Sequence, residues 1–282
     1  TEPVEQYEGH AVFCERAGSL PRLVICGGGH VSIPMIRMGK MLGFQVTVLE
    51  DRPKFADNAR VAGADVVICD SFEHGLESIS GGDDTYFIIV TRGHRYDEVC
   101  LGAIVEKPNA YIGMMGSRRR VAIVKEELFE QGHEREKLDE VYTPIGLKIG
   151  AETPEEIAVS VMAEIIQVKH EKAEGCGYSK ELLEALCDED GKKQKKVLAT
   201  IISRKGSAPR GVGTKMLILE DGTLIDTIGG GCAESDVITK ALLMMREEKL
   251  RFQICMVDMT REAAEEEGMV CGGRIEVMLE RV

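Results

Sequence analysis

The sequence predicts an α/β protein, a Rossmann-like doubly wound parallel sheet followed by a smaller α+β domain. Three observations carry that prediction. The apolar run Arg22-Leu-Val-Ile-Cys26 ends in Gly27-Gly28-Gly29 and passes into an amphipathic stretch, the opening of a β-α-β unit. Strand and helix patterns then alternate as far as about residue 172, the signature of a parallel sheet covered on both faces. Beyond the break at Gly175-Cys176-Gly177 the pattern changes to short strands and hairpin signals.

Taken in order, the elements set the expected boundaries: an N-terminal arm over 1–20, a Rossmann-like domain over 21–175 and a small domain over 176–282. In the first domain a helix is predicted from Val31 to Leu42, with Val31, Met35, Met38 and Leu42 on one face and Pro34 tolerated in its first turn. Gly43 stops it, and Gln45-Val-Thr-Val-Leu49 is the next strand, closed by Glu50 and Asp51. Further strands are predicted at Val66–Ile68, Thr85–Val90 and Ala110–Met114. Thr153, Pro154 and Glu155-Glu156 open a last helix that runs to about Lys172. In the second domain Ser179 caps a helix through Cys187, and strands are predicted at Val197–Ser203, Lys215–Leu219 and Thr223–Ile228. A helix from the triple glycine to about Glu248 and a strand from Arg274 to Leu279 complete the domain.

Composition narrows the function. The chain has 282 residues and a formal net charge of -13, which disfavours nucleic acid and anionic membrane as partners. It holds no uninterrupted apolar stretch of the ~18 residues a membrane span needs. Thr1 to Gly9 has neither a basic start nor an apolar run, so no secretory leader is expected and the cytoplasm is the expected location. The nine cysteines are odd in number and show no C-x-x-C spacing, which argues against a zinc site or a disulfide framework.

The glycine turn has a definite physical use. A helix N-terminus presents unpaired N–H groups and partial positive charge, and Gly27 and Gly29 let the backbone turn tightly against a phosphate. Glu50 or Asp51 would take a ribose hydroxyl and repel the extra phosphate of NADP, so NAD is the expected nucleotide. Ser32 stands where G-x-G-x-x-G has its third glycine, and His30 sits inside the turn. Two later loops fall at strand ends, where such sheets bind ligands: Thr91-Arg92-Gly93-His94, and Gly116-Ser117-Arg118-Arg119-Arg120. Arg92, His94, Ser117 and Arg118 are therefore binding candidates, while Arg119 and Arg120 are read as a solvated charge run. A merely tight turn with an empty pocket is the competing interpretation.

In the second domain, Arg204 to Gly213 combines three glycines with Arg204, Lys205 and Arg210, which suits a phosphate, with Ser207 inside the loop. Gly229-Gly230-Gly231-Cys232-Ala233-Glu234 is the most informative stretch. A cysteine in the first turn of a helix has its thiolate favoured, and the preceding glycines admit a bulky ligand. Gly268-Met-Val-Cys271-Gly-Gly273 repeats the theme. Cys232, with Cys271 second, is the expected reactive thiol, placed where both glycine turns and the basic loop converge towards the Rossmann cleft. Cys255, inside an apolar strand, is expected to be buried and inert.

These motifs are similar to those of a known family. Gly206-Ser-Ala-Pro-Arg-Gly211, Thr227 to Glu234, and Cys271-Gly-Gly273 with Glu276-Val277 resemble the small domain of the XdhC/CoxI family. Gly27 to Val31, Glu50 to Pro53, Thr91 to His94, Gly113 to Arg118 and Gly150 to Glu156 resemble that family's Rossmann domain, here placed first instead of second. The resemblance implies a cofactor-maturation chaperone rather than a turnover enzyme. It would bind molybdenum cofactor, support its sulfuration, and pass it to a xanthine dehydrogenase or aldehyde oxidoreductase type hydroxylase. It assigns Cys232 to cofactor and metal contact, and Gly230, Gly231, Ser207 and Arg210 to the surrounding site, with the basic loop on the pterin phosphate. A cysteine desulfurase as sulfur donor and a homodimer belong to the same expectation. The alternatives are an NAD-dependent oxidoreductase, weakened because no tyrosine of this sequence is followed four residues later by lysine, and a nucleotide-sensing interaction module.

Overall fold

The computed structural model describes residues 4–7, 10–13, 20–172, 178–187, 194–206, 208, 210–230, 232–247, 250–258 and 273–282. The chain divides into two compact units, Ser19–Ala173, and Thr1–Gly18 together with Glu174–Val282. The opening hairpin, β1 (Val4–Tyr7) and β2 (His10–Phe13), thus groups with the second unit although it comes first in the chain. Its Phe13 ring lies 5.9 Å from Lys215 Nζ, and the Tyr178 ring lies 4.8 Å from the same nitrogen.

The larger unit is a doubly wound sheet. Its strands are β3 (Arg22–Cys26), β4 (Gln45–Leu49), β5 (Val66–Ile68), β6 (Thr85–Ile89) and β7 (Tyr111–Met114). They are all parallel, in the order β5-β4-β3-β6-β7. The helices are α1 (Ser32–Met41), α2 (Pro53–Ala62), α3 (Phe72–Glu77), α4 (His94–Ile104), α5 (Arg118–Glu130), α6 (Arg135–Asp139) and α7 (Pro154–Lys172). Side chains alternate across each strand, and the two faces build two cores. Leu23 and Ile25 pack with Met35 and Ile36 of α1 and Val161 and Ile165 of α7. Val24 and Cys26 pack with Leu76 of α3, Leu101 and Ile104 of α4 and Val124 of α5. Strand order reverses direction between β3 and β6, and the crevice where sheets of this kind bind ligands is at the carboxyl ends of the strands at such a point.

Local signals set the helix starts. Ser117 Oγ accepts from the Arg120 amide at 3.3 Å, and Thr153 forms a reciprocal capping box with Glu156. The box donates the Thr153 amide to Glu156 and the Glu156 amide to Thr153 Oγ1.

The second unit continues with α8 (Lys180–Cys187), β8 (Lys196–Lys205), β9 (Lys215–Leu219), β10 (Leu224–Ile225), α9 (Cys232–Arg246), β11 (Phe252–Asp258) and β12 (Arg274–Arg281). These five strands form an antiparallel sheet ordered β10-β9-β8-β12-β11. Val237, Ala241 and Met244 of α9 cover one face, against Val197, Ala199, Met216 and Val277. Leu182 of α8 covers Leu198 and Leu217 on the other. Two boundaries differ from the sequence expectation. β8 runs on through Arg204 and Lys205, which pair with Ile275 and Arg274 of β12, so these two basic residues stand on a strand instead of in the loop. β10 is only two residues long, because Asp226 adopts a positive φ of 64° and turns the chain out of the sheet. Among the described residues no helix is long and apolar enough to cross a membrane.

Candidate functional site

In the first unit the glycine turn follows β3 at the crevice. Gly27 has φ +117°, and a Cβ there would lie 2.5 Å from the Val90 carbonyl oxygen. Only glycine lets β3 and β6 leave the sheet side by side at this point. A Cβ on Gly28 would meet the Phe55 carbonyl at 3.0 Å, whereas one on Gly29 would meet nothing within 4 Å. Gly29 and the exposed His30 therefore form the open rim of the turn. The departure from a third glycine has a structural explanation: the buried Ser32 hydroxyl donates to the Gly27 carbonyl at 2.6 Å and ties the turn shut.

The two acids do not stand free. Glu50, 1% exposed, accepts the Gly28 amide at 2.7 Å and the Arg52 guanidinium at 2.7 Å and 3.1 Å. Asp51 holds Arg92 through two hydrogen bonds of 2.6 Å and 2.8 Å. The Arg92 hydrogen bonds lower the Asp51 carboxyl below the usual range, and Asp51 in turn raises the Arg92 guanidinium. Arg92 also stacks on the Tyr96 ring at 4.2 Å. Two guanidiniums thus stand against the two carboxylates that were expected to repel a 2′-phosphate. Arg52, which reasoning from the motif passed over, is one of the two. Its signal was its position two residues after the strand-end acid.

The third loop also differs from the expectation. Ser117 is spent as a helix cap, and Arg118 and Arg119 are exposed. Arg120, read from sequence as part of a solvated charge run, instead forms an ion pair with the buried Asp97. Burial pushes the Asp97 carboxyl up, against the Thr91 hydroxyl and Arg120, which favour its charged form. This network holds the Thr91-Arg92-Gly93 loop onto α4 and α5. His94, the first residue of α4, lies 3.8 Å from Glu127 of α5. A cavity of about 300 Å³, bounded in part by Lys107, Asn109, Tyr111 and Tyr142, lies beside β7 and includes none of the expected site residues.

In the second unit the triple-glycine turn is organised by Glu234. Its Oε1 accepts the amides of Ile228 at 3.0 Å, Gly229 at 3.2 Å and Gly230 at 2.9 Å, together with the Thr227 hydroxyl. Burial works to raise this carboxyl, but the hydrogen bonds from Thr227, Gly230, Gly229 and Ile228 outweigh it and hold it below its ordinary value. Gly229 and Gly230 have φ of 138° and 77°, so the turn needs residues without a Cβ. Cys232 is the first residue of α9. Glu234 was missed as a site residue, although an acid at the third helical position reaching back over the preceding turn is a known capping pattern. Arg210 is exposed, and Gly206 and Gly213, with φ of 80° and 86°, bracket the basic loop. Ser207, Gly231 and Cys271 lie outside the described residues, as do the Cys232 side chain and the expected convergence on it. Cys255 is buried and its thiol is pushed up by that burial.

Residues 23–165 match the XdhC Rossmann domain, and residues 191–255 match the XdhC and CoxI family. The chain belongs to the XdhC/CoxI family. Its Rossmann match precedes its XdhC/CoxI match along the chain, and the family is of the xanthine dehydrogenase accessory factor type. An uncharacterised Escherichia coli protein, YqeB, is 34% identical over 161 residues, covering 57% of this chain and 29% of that protein. A probable xanthine dehydrogenase subunit of Bacillus subtilis is 32% identical over 158 residues, covering 56% of this chain and 46% of that protein. The matched segments thus span less than half of either relative. A crystal structure of a xanthine dehydrogenase from Bacillus halodurans is 29% identical with a TM-score of 0.49, covering 58% of this chain and 46% of that one.

Proposed function

We propose that this chain is an accessory factor that binds molybdenum cofactor as its cargo and supports its sulfuration. It then inserts the cofactor into a hydroxylase of the xanthine dehydrogenase or aldehyde oxidoreductase type. The observation that carries this reading is the position of Cys232, which opens α9 directly after a turn whose amides are fixed by Glu234. A helix N-terminus favours the thiolate, and a soft thiolate is suited to approach molybdenum or to carry sulfur. Because Glu234 already takes the amides of residues 228–230, the phosphate of the pterin is assigned to the basic loop. Exposed Arg210 supplies positive charge there, with Arg204 and Lys205 exposed at the end of β8 that leads into the loop. Membership of the family, and the likeness to one probable xanthine dehydrogenase subunit, support a client of that class. Replacing Cys232 with serine keeps the size and the helix start. The variant should fold, lose bound molybdenum and pterin, and leave a co-expressed client hydroxylase without its sulfurated cofactor. Unchanged cofactor content together with unchanged client activity would show that the thiol has no part in the reaction.

A nucleotide phosphate is assigned to the rim at Gly29 and His30 of the first unit. The turn fits an anion there, but the acids as placed offer no free carboxylate for a ribose hydroxyl, since Arg52 and Arg92 hold them. Discrimination against NADP loses its electrostatic basis. NAD and NADP should bind within about tenfold of each other, a gap of ~1.4 kcal/mol. Calorimetry on the full chain checks this, and a larger preference for NAD would restore the acids as selectors.

A further inference from the structure

Helix α4 begins at His94, and Glu98 follows one turn later on the same face. Glu127 reaches the same point from α5. One ring nitrogen of His94 and one carboxylate oxygen from each glutamate lie within 4.8 Å of one another. His94 Nε2 and Glu127 Oε2 are 3.8 Å apart, beyond hydrogen-bond distance. That Glu127 oxygen is sealed from solvent and has no hydrogen-bond partner. The Glu127 side chain as a whole is 41% exposed, so it is this inward-turned oxygen alone that needs a partner, and a bound cation would supply one. Glu98 is already oriented, because Gln131 Nε2 donates to its Oε1 at 2.8 Å. An outer amide fixing a ligand carboxylate is a recurrent feature of metal sites.

We propose that His94, Glu98 and Glu127 bind a divalent first-row transition-metal ion. This site lies in the first unit and is separate from the Cys232 chemistry proposed above. Metal–ligand distances of about 2.0–2.2 Å bring the three donor atoms to roughly 3.0–3.4 Å from one another. Small side-chain rotations from the observed spacing achieve that. One imidazole with two carboxylates favours zinc, cobalt, iron or manganese over the all-oxygen shells of calcium and magnesium. The two carboxylates neutralise the charge of the ion, and three protein ligands leave at least one coordination position open to water or an incoming ligand.

The test is a Co²⁺ titration of the full chain, because cobalt reports its own ligands. Wild type should bind about one equivalent with the weak visible d–d bands of nitrogen and oxygen ligands, and without the intense sulfur-to-cobalt absorption that cysteine binding gives. His94→Ala and Glu127→Gln should lose those bands, and Gln131→Ala should weaken binding by about tenfold. Glu127→Gln keeps the size and shape of a partly exposed side chain, so its metal-free thermal midpoint should stay close to that of wild type. Cobalt should raise the midpoint of wild type but not of Glu127→Gln. Absence of the bands in wild type, their persistence in both ligand variants, or sulfur-to-cobalt absorption alone would overturn the site.

Discussion

The two glycine turns, at 27–29 and 229–230, reach the same local chemistry by different routes. In both, a carboxylate accepts glycine amides that precede a helix. At the first turn the acceptor is Glu50, which is 22 residues away and comes from the next strand. Glu50 is buried and balanced by Arg52. At the second turn it is Glu234, only four residues beyond Gly230 and on the helix the turn introduces. The first turn is therefore a product of sheet assembly, and its acid is consumed in holding two strands and a loop together. The second is assembled locally, so its form depends less on the surrounding core.

The sharpest way to break the comparison is a side chain at the crowded turn. Gly27→Ala should cost ~3 kcal/mol or more, since it combines a positive φ with a contact to a backbone carbonyl that cannot yield. Denaturant unfolding followed in the full chain would measure it, and a change below about 1 kcal/mol would mean that β3 and β6 separate easily.

The two acids come next. Glu50→Ala strands the Gly28 amide and the Arg52 guanidinium. Arg52 is about a third exposed, so the loss should be about 2–3 kcal/mol, below that of a fully buried ion pair. Glu234→Ala leaves several donors without an acceptor but nearer to solvent, and should cost about 1–2 kcal/mol. The Glu234 carboxyl is lowered in the fold, so its stabilisation is complete above its ordinary value of 4.5. It is lost as pH falls below 4.5 through the folded value. Glu234→Gln should remove that component of the acid sensitivity of the second unit, which a pH series of thermal melts would reveal.

The smallest effects separate the two rims. Gly230→Ala meets no neighbour but keeps a φ of +77°, so it should cost about 1–2 kcal/mol from the left-handed backbone alone. Gly29→Ala has neither constraint and should stay within about 0.5 kcal/mol, which makes it a clean probe of nucleotide binding.

Sequence alone determined what depends on neighbours along the chain. The strand-turn-helix order after Arg22, the caps at Thr153 and Ser179, and the glycines before Cys232 were all legible. Each rests on residue periodicity or on hydrogen bonds spanning a few residues. Tertiary structure decided the rest. Arg92 meets Asp51 across 41 residues, Arg120 meets Asp97 across 23, and His94 meets Glu127 only because α4 packs on α5. No spacing rule encodes those contacts. The charge that an acid shows to a ligand is set by the cations that parallel strands and packed helices bring beside it, and those cations come from distant parts of the chain.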